Sequence, residues 1–219
     1  MGSLMAQLMS CDLFSNLSEE MVASQILPLG YIQEYQKGQF VITQQKVVDR
    51  LGVVLSGRVH ILHIFADGSE SLMTALGPGE ITGVDLVCTK TQIAPYFAMA
   101  ASNVQLFYIP IRNLMEPGSL SESLRLELIR RMLTVISHDN MKKEYRIAIL
   151  SQRGIRERIL TYLTMQANRR QTNTFSISFS REEMASFLCV NRSALSHELS
   201  LMEKDGLIRY HKNQFTLLD

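Results

Sequence analysis

The 219-residue chain is 46% hydrophobic and 20% charged, which excludes a disordered polymer and allows one large or two modest cores. No apolar run approaches the ~20 residues that span a bilayer, and "MGSLMAQLMSCDLF" has no basic stretch leading into an apolar one. A cytoplasmic protein with no signal peptide and no membrane partner is therefore expected.

The net charge of +1 is uneven: residues 1–149 carry 12 Lys and Arg against 14 Asp and Glu, and residues 150–219 carry 10 against 7. That asymmetry is compatible with nucleic acid at the C-terminal end. The cysteines, Cys11, Cys88 and Cys189, are far apart and include no C-x-x-C pair. This argues against a disulfide framework, a structural zinc site and a cysteine-ligated iron–sulfur cluster. A lone cysteine reads as a small buried hydrophobe, Cys189 above all and Cys11 less so because it lies near a terminus.

In chain order, "SEEMVASQIL" predicts a short helix capped by Ser18. Residues 31–110 then read as seven or eight short strands, among them "YIQEY", "QFVITQ", "RLGVVL", "RVHILHIF" and "SLMTAL". Turn signals separate them, and Asp67-Gly68 marks a hairpin. A sandwich or jelly roll is expected. From about residue 119 the period changes, and Leu126, Ile129, Leu133, Ile136, Asn140, Lys143, Ile147 and Leu150 follow a three–four spacing. This predicts a long helix whose seam either packs on its own domain or, the favoured reading, meets a second copy across a dimer axis. Asn140 and Lys143 are polar interruptions of the kind that set register. Ser151 is placed to cap the following helix, "LSQRGIRERILTYL", so three parts are expected: 1–118, 119–150 and 151–219.

"FSREEMASFLCVNRSALSHELSLMEKDGLIRYHKNQFTLLD" is the most informative segment. Ser180 and Glu183 form an S-x-x-E capping box, Asn191 caps a second helix, and Gly206 stands where that helix should end. Leu195, Leu199 and Met202 form its buried stripe, and "LIRYHKNQFTLL" alternates about Lys212-Asn213 as a hairpin does. Helix, turn, helix, hairpin is a winged helix-turn-helix, whose second helix enters the major groove of double-stranded DNA. Arg181, Asn191, Arg192, Ser193, Ser196 and His197 are the candidate contacts, with Arg192 suited to guanine and Arg181 to a phosphate. Ser196, His197 and Glu198 are types that recur in hydrolase sites, but neighbours at i, i+1 and i+2 on a helix do not face one another. No catalytic residue is assigned.

The chain resembles the bacterial family of the cyclic-AMP receptor protein and the fumarate-nitrate reduction regulator over residues 10–219. Two stretches carry the resemblance: "LSGRVHILHIFADGSESLMTALGPGE", like the family's roll, and "SREEMASFLCVNRSALSHELSLMEKDGLI", like its helix-turn-helix. It implies an α+β protein with an N-terminal cyclic-nucleotide-binding-like β-roll, a long dimerisation helix and a winged helix. It also implies a homodimer on a two-fold operator, and it admits RNA polymerase as a further partner.

The departures bear on the signal. Cyclic-nucleotide binders place Gly-Glu at the ribose and Arg-Ser at the cyclic phosphate. Here Gly79 and Glu80 stand in place, while the Arg-Ser position falls at Ala94-Pro95, and no arginine lies between Arg58 and Arg112. Without a guanidinium fork, weak or no cyclic-AMP binding is expected. Cys11 alone cannot supply the iron–sulfur members' cluster. His60 and His63 lie on opposite faces of a regular strand and cannot share one metal ion, which leaves a single axial haem ligand as a minor alternative. In the recognition helix, Ser193, Ser196 and His197 stand where many members carry glutamate and arginine, while Arg192 is retained. An unidentified small-molecule or redox signal is expected in a pocket formed by Leu72, Thr74, Gly79, Glu80, Ile81, Thr82, Met132 and Ile136. Two other classes stay open: a jelly-roll metal enzyme, and a ligand-binding protein whose winged helix contacts proteins.

Overall fold

In the computed structural model, which describes residues 2–116 and 118–218, the β-rich part forms two four-stranded antiparallel sheets. Contacts divide the chain into two units, Met1–Asn140 and Met141–Asp219.

The first unit opens with helix α1 (Gly2–Met9) and a short helix α2 (Glu19–Met21), which continues as single π and 3-10 turns to Leu29. Ser18 caps α2 as expected, its hydroxyl accepting the Met21 N–H. The strands follow: β1 (Tyr31–Tyr35), β2 (Phe40–Ile42), β3 (Arg50–Ser56), β4 (Val59–Ile64), β5 (Glu70–Leu76) and β6 (Ile81–Thr82). After helix α3 (Val84–Val87) come β7 (Phe97–Ala100), β8 (Val104–Pro110) and helix α4 (Ile111–Met115). One sheet runs β1-β8-β3-β6 and the other β2-β7-β4-β5.

The hairpin between β4 and β5 turns at Asp67-Gly68, where the Asp67 carboxylate accepts the Ser69 N–H and hydroxyl. Strand β3 is buried along nearly its whole length because both faces of its sheet are covered, α1 lying against it. Gly57, which joins β3 to β4, has φ +82°, and a Cβ there would stand 2.1 Å from the Asn103 carbonyl. Gly57→Ala is therefore expected to cost at least about 1–3 kcal/mol for the left-handed backbone alone, read as a lower urea midpoint.

Helix α5 (Glu122–Leu150) carries two stripes. Leu124, Leu128 and Met132 are buried in the first unit's core, with Val135 and Ile136 packed beside them. The predicted seam shares only Ile136 with that stripe: Leu126, Leu133 and Ile147 are exposed, as are Asn140 and Lys143, and Ile129 is half-buried.

The second unit continues with α6 (Ile155–Arg170), β9 (Thr174–Ser176), α7 (Arg181–Phe187), α8 (Arg192–Lys204), β10 (Ile208–His211) and β11 (Gln214–Leu217). Its sheet runs β10-β11-β9, and its core gathers Ile159, Leu163, Met184, Leu195, Leu199 and Phe215.

Two expectations are corrected, and the burial expected of a lone cysteine is met at Cys11. Ser151 does not cap α6: its hydroxyl donates to the Ile147 carbonyl and closes α5, while α6 starts at Ile155 after Gly154. Cys189 is exposed, because it occupies the left-handed residue of the turn between α7 and α8. Cys11 is fully buried against the first unit's core, and that burial pushes its thiol up to about 12.

Candidate nucleic-acid interface

Helix α7 begins with the complete capping box: Ser180 Oγ accepts the Glu183 N–H, and the Glu183 carboxylate accepts the Ser180 N–H. The chain turns when the Val190 N–H reaches the Ala185 carbonyl, with Cys189 at φ +55°. Asn191 then starts α8, its Oδ1 accepting the Ala194 N–H at 2.7 Å and the Ser193 hydroxyl at 2.8 Å. One of the backbone donors left open at the helix start and one side-chain hydroxyl are thereby held by a single side chain.

Leu195, Leu199 and Met202 are buried, which turns the opposite face of α8 outward. Arg192, Ser193 and His197 are exposed there, with Ser196 half-buried between them. Ser193 and His197 stand one turn apart, as do Arg192 and Ser196.

Glu198 does not meet His197: it accepts a 2.6 Å hydrogen bond from Arg156 Nε, and Arg156 Nη1 donates to Asp205 at 2.7 Å. The serine, histidine and glutamate are thus no relay. One arginine of α6 braces the middle and the end of α8. Among the described residues, Arg192 has no carboxylate in ion-pair reach, so its guanidinium keeps all its donors for another acceptor.

Arg181, expected at a phosphate, is the first residue of α7, and its side chain reaches the wing. Its Nη2 donates to the Lys212 carbonyl at 3.0 Å, and its guanidinium sits 5.2 Å from the Tyr210 ring centre and 5.6 Å from that of Phe215. Partial burial lowers its pKa from the usual value. The wing carries two further exposed cations that the sequence reading did not single out. Arg209 and Lys212 are exposed there, with Lys212 at φ +52° in the hairpin turn. The signal was present: two cations flanking a turn inside the quoted alternating segment.

In the roll, the eight residues expected around an effector occupy different settings. Met132 is buried in the core and Ile136 packs beside it, whereas Leu72, also buried, lies outside that cluster and faces Leu62 across the β4–β5 ladder. Thr74 is half-buried, and Ile81 is core. Gly79 lies close against Ser10, and the Glu80 carboxylate accepts the Gly77 N–H at 2.8 Å, closing its own turn. Thr82 lines a cavity of about 430 Å³ bounded by β2, the 43–50 loop and Tyr108. Ala94 is fully buried and bonded through its backbone to Gln45 and Lys46. Tyr96 donates to Asp85 at 2.8 Å, and burial, reinforced by that carboxylate, raises its pKa.

Among the described residues, no helix is long and apolar enough to cross a membrane, and no three His, Cys, Asp or Glu side chains are grouped to hold a metal ion.

Two family descriptions match this architecture: a cyclic nucleotide-binding domain over residues 32–116 and a Crp-like helix-turn-helix domain over residues 157–219. The transcriptional activator protein Anr of Pseudomonas protegens is 25% identical over 209 residues, covering 93% of this chain and 82% of that one. The electron transport regulator A of Shewanella oneidensis is 23% identical over 189 residues, covering 84% and 73%. Among solved structures, the c-di-GMP responsive global regulator CLP of Xanthomonas campestris superposes with a TM-score of 0.71 at 17% identity, covering 91% of this chain and 99% of that one. A CooA variant from Carboxydothermus hydrogenoformans gives 0.71 at 21% identity, covering 91% and 90%. With a roll, a long helix and a capped winged helix each in its place and both family descriptions matched, the chain belongs to the Crp/Fnr family of DNA-binding transcription regulators.

Proposed function

We propose that the protein works in the cytoplasm as a homodimer on a two-fold operator, with α8 in the major groove of each half-site and a signal other than cyclic AMP received in the roll. The observation that carries the DNA reading is Arg192: exposed, free of any carboxylate among the described residues, and fixed on the first turn of a capped helix. Ser193, Ser196 and His197 extend the reading face, and Asn191 holds its start. Lys212 on the wing supplies a phosphate contact, and Arg181 acts by holding the wing turn that carries it.

Operator selection from random duplex followed by anisotropy titration tests this. Arg192→Ala is expected to lose about 1–3 kcal/mol on the selected site and to relax preference at one base pair. Lys212→Ala should instead weaken all sequences alike and reduce the salt slope by about one. Unchanged affinity and preference in Arg192→Ala would remove α8 as the reader.

The dimer is supported by the outer stripe of α5. Leu126, Leu133, Asn140 and Ile147 recur every seven residues, and all are exposed. Exposed leucines at heptad spacing bury their apolar surface only when a second helix lies along them. Ile129, Ile136 and Lys143 flank that line, with Ile136 shared with the roll core.

A signal other than cyclic AMP is supported by Ala94-Pro95. A buried alanine bound into the loop at 44–48 stands where a phosphate clamp needs a guanidinium. Calorimetry with cyclic AMP is expected to give no saturation in the micromolar range; a low-micromolar dissociation constant would overturn this reading. Cys11, with its thiol buried and its pKa raised, is a poor thiolate ligand, which supports a signal that does not pass through a cysteine-held cluster.

A further inference from the structure

The cavity of about 430 Å³ lies where the two sheets of the roll part. Val41, Ile42 and Thr43 come from β2 and its end, Lys46 to Arg50 from the loop entering β3, Thr82 from β6 and Tyr108 from β8. Val41, Ile42 and Val48 are buried and form apolar walls. The charged groups on its lining are Lys46, Asp49 and Arg50, a balance of one positive charge.

Two features of this lining have no explanation within the fold. The first is Thr82 Oγ1, buried and without a hydrogen-bond partner. A stranded buried hydroxyl destabilises the fold, and valine would fill the same space without that cost. The second is Arg50. Its Nη1 donates to the Tyr31 hydroxyl at 2.6 Å, and its guanidinium sits 4.7 Å from the Tyr108 ring centre. Those contacts hold it in one pose without neutralising it, since among the described residues neither Arg50 nor Lys46 has an ion-pair carboxylate. Most of its five N–H donors stay available. Tyr108 is fixed in turn by a 2.9 Å hydrogen bond to the Tyr35 hydroxyl. Gly52 leaves room for the arrangement, because a Cβ there would stand 2.8 Å from the Tyr108 ring and 3.2 Å from the Thr82 methyl.

We propose that this cavity binds a small organic carboxylate, its charge held by Arg50 and Lys46, its hydrocarbon body against Val41, Ile42 and Val48, and one oxygen on the Thr82 hydroxyl. One positive charge in the lining matches one carboxylate, which a guanidinium fork grips through two parallel hydrogen bonds. A nucleoside triphosphate or other polyphosphate brings more negative charge than the lining balances. The volume falls in the range of small-molecule sites, and the lining is mixed, the polar groups of Thr43, Lys46, Asp49, Arg50, Thr82 and Tyr108 standing beside the aliphatic wall. Of the residues expected around an effector from the sequence, only Thr82 belongs to this cavity. The site takes its cations from Lys46 in the loop before β3 and Arg50 at the start of β3, and it stands whether or not α8 reads DNA.

The test is calorimetric titration of the full chain, without DNA, with benzoate and phenylacetate, and with benzamide as the uncharged match of benzoate. At least one carboxylate is expected to bind saturably at one site per chain, with benzamide at least about 10-fold weaker, the loss of a charged hydrogen bond being worth roughly 10- to 100-fold. Arg50→Gln should lose a similar factor and Arg50→Lys less. Thr82→Val should weaken binding several-fold, while its melting temperature without ligand stays the same or rises, because the hydroxyl satisfies nothing in the fold. Failure of both carboxylates to saturate, equal binding of benzamide, or unchanged binding in Arg50→Gln would each overturn the proposal. A destabilised Thr82→Val would do so as well, by revealing a structural partner for the hydroxyl.

Discussion

A Leu133→Glu chain is expected to sediment as a monomer and to lose about 10²- to 10⁴-fold in affinity for a two-fold operator, while each half-site is still bound weakly. In a two-fold helix pair each seam residue faces a short list of partner positions that includes its own copy. The substitution therefore sets carboxylates against one another in a strip that otherwise buries leucine. Leu133 is 61% exposed in the single chain, so the change touches no internal core and the fold should survive it. Leu124→Glu is the contrasting control. Leu124 is 2% exposed and belongs to the inner stripe, so that variant should unfold the roll instead of separating dimers. Sedimentation and circular dichroism distinguish the two outcomes. A Leu133→Glu protein that stays dimeric would place the dimer contact elsewhere.

The second large effect is expected at Phe215. It is fully buried on β11, between Tyr210 of β10 and Phe175 of β9, with the Tyr210 ring stacked 5.8 Å away. Phe215→Ala removes the side chain that joins all three strands of the wing sheet and should cost about 3–5 kcal/mol, a large share of a small domain's stability. DNA binding should fall with it although no outward residue has changed, because the Arg181 guanidinium loses the ring it rests on and the wing turn loses its hold. A thermal melt should show the second unit opening earlier, and Phe215→Leu should recover most of the loss.

The helix-turn-helix was legible because its boundaries are set by neighbours in sequence. The Ser180–Glu183 box, the Asn191 cap, the stop at Gly206 and the turn at Lys212-Asn213 each act over three or four residues. The strands and the Asp67-Gly68 hairpin were readable for the same reason. What failed depended on distance. Cys189 follows three apolar positions of α7 and looks like core, yet the backbone turns there and carries it outward. The bond from Arg181 to the Lys212 carbonyl spans 31 residues, so no local pattern announces it. Ser151 lay within reach of two helix ends, and the one behind it took its hydroxyl. The carboxylate cavity draws on β2, a loop, β6 and β8, so no window of sequence contains it. The heptad in α5 was visible, but the second stripe, Leu124-Leu128-Met132, only separates from it once the roll core is in place.

The brace from Arg156 to Glu198 and Asp205 has a consequence for how such a protein changes over time. The groups that hold α8 in position (Asn191, Leu195, Glu198, Leu199, Met202) and the groups that face outward from it (Arg192, Ser193, Ser196, His197) are almost disjoint sets on one helix. A mutation in the second set spends little folding stability, so operator preference is free to drift while the scaffold stays constant. With α8 reading DNA as proposed, the serine and histidine on its outer face are then substitutions the fold had no reason to resist, and the same four positions are where a designer would retarget the protein without redesigning its core.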